Sequence, residues 1–315
     1  MLNLYEKLVF VYMPLASSPN LILMNGILNV SSADNHYIGQ TFLVSPVKTT
    51  TQAKLKQLQQ MLTDMKSCAI AYSGGVDSTF LIKVAYDTLG ENALAVTATS
   101  STYPQRELQD AKRFAQTIGI PHVIIHSEEL DINEFSDNPS DRCYYCKKEL
   151  FRKIQQIAQE HHLNTVLDGS NADDAFDYRP GAKARKELDI KSPLKDVGLT
   201  KQEIRDLSHT MQLESSEKPA FACLASRFPY GVKITKERLK HVEQAEEFLF
   251  SLGIQQCRVR YHNTIARIEV SPQDFQTILS HAHAIVKQLK HLGFTYITLD
   301  LEGYRTGSLN EVLNK

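Results

Sequence analysis

The sequence predicts an α/β protein in which a parallel sheet covered by helices is followed by a smaller α+β unit. Two observations lead there. Short apolar runs at 68–72, 93–98, 122–126 and 165–168 alternate with segments of helical periodicity, the pattern of βαβ units. After about residue 236 the order changes to helix, strand, strand, helix, strand. A length of 315 residues suits one large or two modest domains.

Residues 1–47 lack this regularity. Their lysine, their apolar run at 8–15 and their small residues imitate a secretory signal only faintly, and the run is too short to cross a bilayer. We read 1–47 as an extension, with an edge strand at 41–44 as the alternative.

The main domain is expected over 48–205. Leu55, Leu58, Leu62 and Met65 recur at helical spacing ahead of strand 68–72, whose unbroken apolar run suits burial on both faces. Phe80, Leu81, Val84 and Ala85 mark a helix over 77–89 that Gly90 stops. After strand 93–98, Pro104 opens a helix carrying Leu108, Ala111, Phe114, Ala115 and Ile118 as far as Gly119. Strand 122–126, a helix over about 147–161 and strand 165–168 complete the alternation. Between 167 and 194 the periodicity fails. That stretch is polar, rich in acids and long for an idle connection, so it reads as a functional loop. A helix near 201–211 spans the boundary with the second domain, 206–315. There the expectation is helix 236–252, strands 257–262 and 266–270, one helix over 273–292 and strand 296–301.

Composition excludes several classes. With 42% apolar and 23% charged residues the chain is neither disordered nor a disulfide scaffold. Thirty-five Lys plus Arg against 36 Asp plus Glu leave a net charge of −1, so no general basic field collects nucleic acid. No other stretch nears the 18 apolar residues of a membrane span. The five cysteines, at 68, 143, 146, 223 and 257, are odd in number and unevenly spaced, which fits a reducing cytoplasm.

The most informative residues are Tyr72-Ser73-Gly74-Gly75-Val76-Asp77-Ser78-Thr79, between a buried strand and an apolar-faced helix. A bare S-G-G is mostly a serine-capped turn. Here the two glycines let the backbone approach an anion, and the helix N-terminal amides with the hydroxyls of Ser73, Ser78 and Thr79 can hold phosphate oxygens. Asp77 is out of place beside an anion unless it orients Mg²⁺. With no lysine at its end the octet is not G-x-x-x-x-G-K-[ST], and it is not G-x-G-x-x-G.

Cys143 and Cys146 form C-x-x-C at a helix start, where the amides with Arg142, Lys147 and Lys148 are expected to favour thiolate. Alone, the pair reads as half a zinc site or a redox couple. Cys223 makes three thiols, one short of a structural zinc site, whereas three thiolates on a [4Fe-4S] cluster leave one iron open. Cys68 and Cys257 lie in strands and are expected to be small buried hydrophobes. None of the eleven histidines has metal-ligand spacing.

The octet resembles the PP-loop of ATP pyrophosphatases. Together, SGGVDST, DRCYYCKKELF, LDGSNADDAFDYRPG, CLASRFPYG, RVRYHNTIARIEV and TLDLEGYRTGSLN resemble the LarE-type ATP-dependent sulfur transferases of nickel-pincer nucleotide biosynthesis, from about Leu55 to Asn310. The resemblance implies a PP-loop domain with a smaller sulfur-transfer domain. It implies adenylation of a carboxylate of pyridinium-3,5-biscarboxylic acid mononucleotide and replacement of its oxygen by sulfur, toward the cofactor of lactate racemase. It implies that Ser73, Gly74, Gly75, Asp77, Ser78 and Thr79 hold pyrophosphate and Mg²⁺, that Asp168 and Gly169 close over ATP, and that Arg179 orders the loop above. Ser226, Arg227, Arg258 and Arg260 would hold the substrate phosphate, and Glu246, Glu269 and Asp274 a divalent ion. Cys143, Cys146 and Cys223 match the form with a [4Fe-4S] cluster rather than the form that sacrifices one cysteine. A sulfide donor, a homo-oligomer and a cytoplasmic location are expected, with no membrane or nucleic acid. Two other readings stay open: a PP-loop tRNA thiolase, which neutral charge and the lack of a basic RNA-binding domain disfavour, and an ATP-binding iron–sulfur scaffold without catalysis.

Overall fold

The computed structural model describes residues 49–176, 180–219 and 222–313; the expected edge strand at 41–44 and Arg179 lie outside them. The described residues belong to one compact unit, Val44–Lys315. The predicted α/β class is what the chain adopts.

Helix α1 (Thr49–Met65) precedes β1 (Cys68–Ala71), α2 (Val76–Leu89), β2 (Ala93–Thr99), α3 (Gln105–Ile118) and β3 (His122–His126). Helices α4 (Asn133–Ser136) and α5 (Arg142–Glu160) lead to β4 (Thr165–Asp168). The four strands form one parallel sheet in the order β3-β2-β1-β4, so β1 and the loop after it are central. Alternate residues of β1 serve opposite faces: Cys68 and Ile70 pack with α1 and α2, Ala69 with Phe151 and Ile154 of α5. That two-sided burial is why the strand reads as an unbroken apolar run. Gly119 ends α3 in the left-handed region at φ 86°, as its position suggested.

The polar stretch after β4 is more structured than a loop. It holds a 3₁₀ turn (Ala172–Phe176), α6 (Gly181–Glu187) and α7 (Pro193–Asp196) before α8 (Lys201–Thr210). A capping box starts α8: Thr200 accepts from the Glu203 amide while the Glu203 carboxylate accepts from the Thr200 amide.

Beyond a 3₁₀ turn (Leu224–Arg227), α9 (Lys236–Ser251) packs on a second sheet of β5 (Cys257–His262), β6 (Ile265–Val270) and β7 (Tyr296–Leu299), antiparallel then parallel. The predicted helix over 273–292 is two, α10 (Phe275–Ser280) and α11 (Ala282–His291). They meet at His281, whose ring nitrogen and backbone amide both lie within hydrogen-bonding distance of the Thr277 carbonyl, at 2.9 and 3.2 Å. The second core, built on Val259, Ile268 and Leu249, also takes in Phe135 from α4. Among the described residues no helix is long and apolar enough to cross a membrane.

Candidate active site

The loop after β1 sits where a doubly wound sheet gathers ligands, at the carboxyl ends of its strands. Gly74 takes φ 67°, and a Cβ there would stand 3.0 Å from the Ala111 Cβ, so only glycine fits. Tyr103 closes the loop from the side, its hydroxyl donating to the Ser73 carbonyl at 2.9 Å. Ser73 and Ser78 hydroxyls are 3.2 Å apart, and Ser78 also donates to the Gly75 carbonyl. Gly75 is the N-cap of α2 and offers no side chain, so no side chain caps the first amides of that helix, as an anion site requires.

Asp77, in the first turn of α2, receives Asn171 Nδ2 on Oδ2 at 3.2 Å. Its Oδ1 is buried with no hydrogen-bond partner. Burial pushes its carboxyl above the usual aspartate range, offset in part by Lys201. An orphaned buried carboxylate oxygen beside an anion site fits a hard divalent cation, and Asp77 is the residue that would hold Mg²⁺. Thr79 is buried at the base of the loop.

Asp168 ends β4 beside Ala71. Ser170 and Ser192 hydroxyls donate to its two oxygens at 2.7 and 2.6 Å, and Arg185 stands 3.4 Å away. Asp168 is thus a structural anchor of the strand end. A Cβ on Gly169 would stand 3.1 Å from the Ser78 amide nitrogen, which brings the end of β4 directly against the loop.

The three cysteines come from α5 and the 3₁₀ turn before Phe228. Cys143 is exposed, while Cys146 and Cys223 are half-buried. Cys146 lies within electrostatic reach of the other two: burial above all, then Glu129, Cys223 and Cys143, push its thiol well up. Cys146 donates to Glu129 Oε1 at 3.7 Å. This corrects the expectation of a thiolate at Cys146, because burial and a carboxylate outweigh Lys147 and the helix N-terminus. Three thiols are the donor type that an iron–sulfur cluster takes, and among the described residues there is no group of three or more His, Cys, Asp or Glu that could hold a metal ion. Cys68 and Cys257 are fully buried, and burial pushes Cys68 up to about 12, which suits inert packing.

The expected phosphate and cation sets are rearranged into pairs. Arg227 meets Glu246 through two bonds of 2.9 and 2.8 Å, and Arg260 meets Glu269 through two of 3.0 and 2.8 Å. All four side chains are nearly inaccessible. Arg267 adds to Glu269 at 2.8 Å, and the Val259 amide to Glu246 at 2.9 Å. Glu246 and Glu269 therefore neutralise arginines rather than join Asp274, which ends a separate 3₁₀ turn (Pro272–Asp274), around a cation. Ser226 receives Arg227 on its hydroxyl and Arg260 on its carbonyl. Arg258 lines a cleft together with Arg227, donates to the Cys257 carbonyl at 2.7 Å and stands over the Tyr304 ring. Asn171 and Glu129 were missed in the sequence because their partners lie 94 and 17 positions away.

Comparison with known proteins agrees with this geometry. The NAD synthase family profile matches residues 50–157, which span β1, the loop and α2. An uncharacterised protein of Synechocystis sp. is 45% identical over 266 residues, 84% of this chain and 99% of its own length. The pyridinium-3,5-bisthiocarboxylic acid mononucleotide synthase of Lactiplantibacillus plantarum is 37% identical over 267 residues, 84% of this chain and 97% of that one. An uncharacterised protein of Methanocaldococcus jannaschii is 30% identical over 253 residues, 80% and 96% of the two chains. A nucleotide-binding loop with an orphaned carboxylate and likeness along nearly the whole length of these relatives lead to one conclusion: the chain belongs to the LarE-type family, that of pyridinium-3,5-bisthiocarboxylic acid mononucleotide synthase, and is an ATP-using transferase of the PP-loop class.

Proposed function

We propose that the protein adenylates a carboxylate of pyridinium-3,5-biscarboxylic acid mononucleotide and replaces its oxygen with sulfur, giving the thiocarboxylate precursor of a nickel-pincer cofactor. The observation that carries this reading is 37% identity along 97% of the length of a pyridinium-3,5-bisthiocarboxylic acid mononucleotide synthase, in a chain with a PP-loop and with Cys146 in electrostatic reach of Cys143 and Cys223. Amide-forming PP-loop enzymes that use ammonia have no need of such thiols.

The loop amides and the hydroxyls of Ser73, Ser78 and Thr79 bind the leaving pyrophosphate. Asp77 would hold the magnesium ion of Mg·ATP, which neutralises the charge building on that group. A substrate carboxylate oxygen attacks the α-phosphorus, the bond from that phosphorus to the bridging oxygen breaks, and pyrophosphate leaves. A sulfur nucleophile then adds to the acyl carbon, and AMP departs with the electrons of the C–O bond. Adenylation turns a poor oxygen leaving group into a good one, and the protein's part is position and electrostatics. Cys143, Cys146 and Cys223 would hold a [4Fe-4S] cluster, which would supply an iron without a protein ligand as the seat of sulfide. Arg258 receives the substrate phosphate.

The same reading takes residues 48–205 as the ATP domain and 206–315 as the sulfur-transfer domain. It takes sulfide from an external donor, and the protein as a cytoplasmic homo-oligomer that binds neither nucleic acid nor membrane. Anaerobic incubation of cluster-reconstituted protein with the biscarboxylate nucleotide, Mg·ATP and sulfide, read by mass spectrometry, tests it. Several thiolated products per chain with three intact cysteines are expected. One product per chain with dehydroalanine at Cys223 would replace the cluster route by a sacrificial one, and no product would overturn the substrate.

A further inference from the structure

Arg142 is the first residue of α5, a helix of 19 residues, and is only 3% exposed. Its Nε and Nη1 are buried with no hydrogen-bond partner. Arg227 and Arg260 are about as deeply buried, and each has a carboxylate to neutralise it. Arg142 has none among the described residues; its guanidinium carbon stands instead 4.8 Å from the Tyr230 ring centroid. The helix end it belongs to adds to the positive potential. Asp141 at the N-cap makes no side-chain cap and the first turn holds no acid, so no side chain caps the first amides of α5. Side chains of a helix lean toward its N-terminus, which sets the guanidinium over that end. The position is also that of the cysteines. Arg142 adjoins Cys143 and shares a helix face with Cys146, four positions on. The loop after Cys223 is tied to the turn before α5: Asn138 Nδ2 donates to the Pro229 and Val232 carbonyls at 2.7 and 3.0 Å, and the Gly231 amide donates to the Asn138 carbonyl at 2.9 Å. Those bonds hold Tyr230 against Arg142.

A buried charge without a partner destabilises a fold, so this guanidinium calls for an anion. The anion must be small, because almost none of Arg142 is open to solvent. It must also give up its water readily, since the other neighbours are thiols and an aromatic face rather than further donors. Hydrosulfide meets both demands. It is compact and polarizable, whereas a carboxylate or phosphate brings several oxygens that each need a donor once buried. We propose that Arg142 and the N-terminus of α5 form an anion site that holds hydrosulfide beside Cys143 and Cys146, through charge-assisted hydrogen bonds from Nε and Nη1. This rests on the sulfur-transfer reading above, in which sulfide comes from an external donor, and it assigns the residue that receives it. Exposed Cys143, next in the chain, marks the side from which a small anion enters. In the empty protein the orphaned guanidinium trades stability for a site that is ready.

Equilibrium dialysis of the full chain against sodium sulfide, under anaerobic reducing conditions, tests the site in metal-free and in cluster-reconstituted protein. Affinity for sulfide is expected to fall about tenfold or more in Arg142→Gln, as when a hydrogen bond to a charged group is lost. A fall already seen in the metal-free chain marks free hydrosulfide on the guanidinium. A fall confined to the reconstituted chain marks hydrosulfide on an open iron, still held by Arg142. Thermal unfolding supplies a readout that a packing role would move the other way. Without sulfide, metal-free Arg142→Gln should melt above the wild type, because it removes a buried charge that has no partner. An Arg142→Gln chain that melts lower or does not fold, or that takes up sulfide as the wild type does, overturns the site while leaving sulfur transfer standing. A wild type that takes up no sulfide in either form overturns the external-sulfide reading and the site with it.

Discussion

Asp77 and Asn171 lie 94 positions apart and meet at 3.2 Å, Asn171 donating to one carboxylate oxygen and leaving the other buried without a partner. That arrangement sets function against stability. Burial raises the Asp77 carboxyl, so the folded state binds its proton more tightly than the unfolded state does. The stability this residue contributes is full in acid, below the unfolded pKa, and is lost as pH rises through the higher folded value. Asp77→Asn is therefore expected to raise the melting temperature at neutral pH in the absence of nucleotide. Pyrophosphate release should fall about 10²- to 10³-fold, as it does when a group serving the transition state is removed. A variant that releases pyrophosphate at the normal rate would remove Asp77 from the reaction.

Gly169 is held by closeness rather than by chain conformation. A methyl group there would lie 3.1 Å from the Ser78 nitrogen and 3.2 Å from its Cα, both backbone atoms of the first turn of α2 that cannot swing aside. Gly169→Ala is expected to cost about 1–3 kcal/mol in urea unfolding, the usual range for overpacking. Because the displaced atoms border the phosphate loop, KM for ATP should rise as well. Unchanged stability and KM would show that β4 and the loop move independently.

The parts of this fold visible in the sequence are those governed by neighbours along the chain. The run Cys68-Ala69-Ile70-Ala71 announced a strand covered on both sides, and S-G-G-x-D-S-T after it announced a phosphate loop. Gly119 marked the end of α3 because its left-handed backbone is a local property. What stayed hidden depends on partners brought from afar. Arg258 and Arg260 alternate on β5 and look equivalent, yet Arg260 is claimed by Glu269 across the sheet while Arg258 lines the cleft. The C-x-x-C spacing suggested thiolate, but Glu129, 17 positions before Cys146, reverses that tendency from another segment. Arg179 lies outside the described residues.

The buried ion pairs divide the arginines by role. Removing one partner of a buried pair leaves an uncompensated charge, at about 3–5 kcal/mol. Arg227→Ala and Arg260→Ala should each lose most of their activity through loss of fold, seen as a large drop in the denaturant midpoint. Arg258→Ala removes a donor to the Cys257 carbonyl and is expected to weaken affinity for the mononucleotide at least tenfold in protein that remains folded. Equal destabilisation in all three variants would deny Arg258 a separate role.

Glu203 ties α8 to α1. Burial disfavours its ionised form, but the Lys54 ammonium at 2.7 Å, the Thr200 amide and the Thr51 hydroxyl outweigh this and hold its carboxyl down to about 2. A depressed folded-state pKa contributes stability that is full above the unfolded value and is lost as pH falls toward the folded one. The wild type should therefore lose stability between about pH 4.5 and about pH 2 partly through this residue. Glu203→Gln should flatten that limb of a melting-temperature profile and lower the plateau above pH 5 by about 1 kcal/mol. A profile of unchanged shape would show that the α1–α8 contact is not charge-dependent.

The thiols give the sharpest test of how the sulfur site is built. In metal-free protein at neutral pH, the exposed Cys143 should be alkylated by iodoacetamide first. Cys146, raised by burial and by Glu129, should react far more slowly, and fully buried Cys68 and Cys257 not at all. Glu129→Gln removes a charge that opposes ionisation, so Cys146 should then react several-fold faster while Cys143 is unaffected. In anaerobically reconstituted protein, Cys223→Ala should lose stably bound iron, because two thiols from one helix turn do not enclose a cluster. Full iron content in that variant would leave Cys223 out of the ligand set, and fast labelling of Cys146 in the wild type would mean that Glu129 does not govern it.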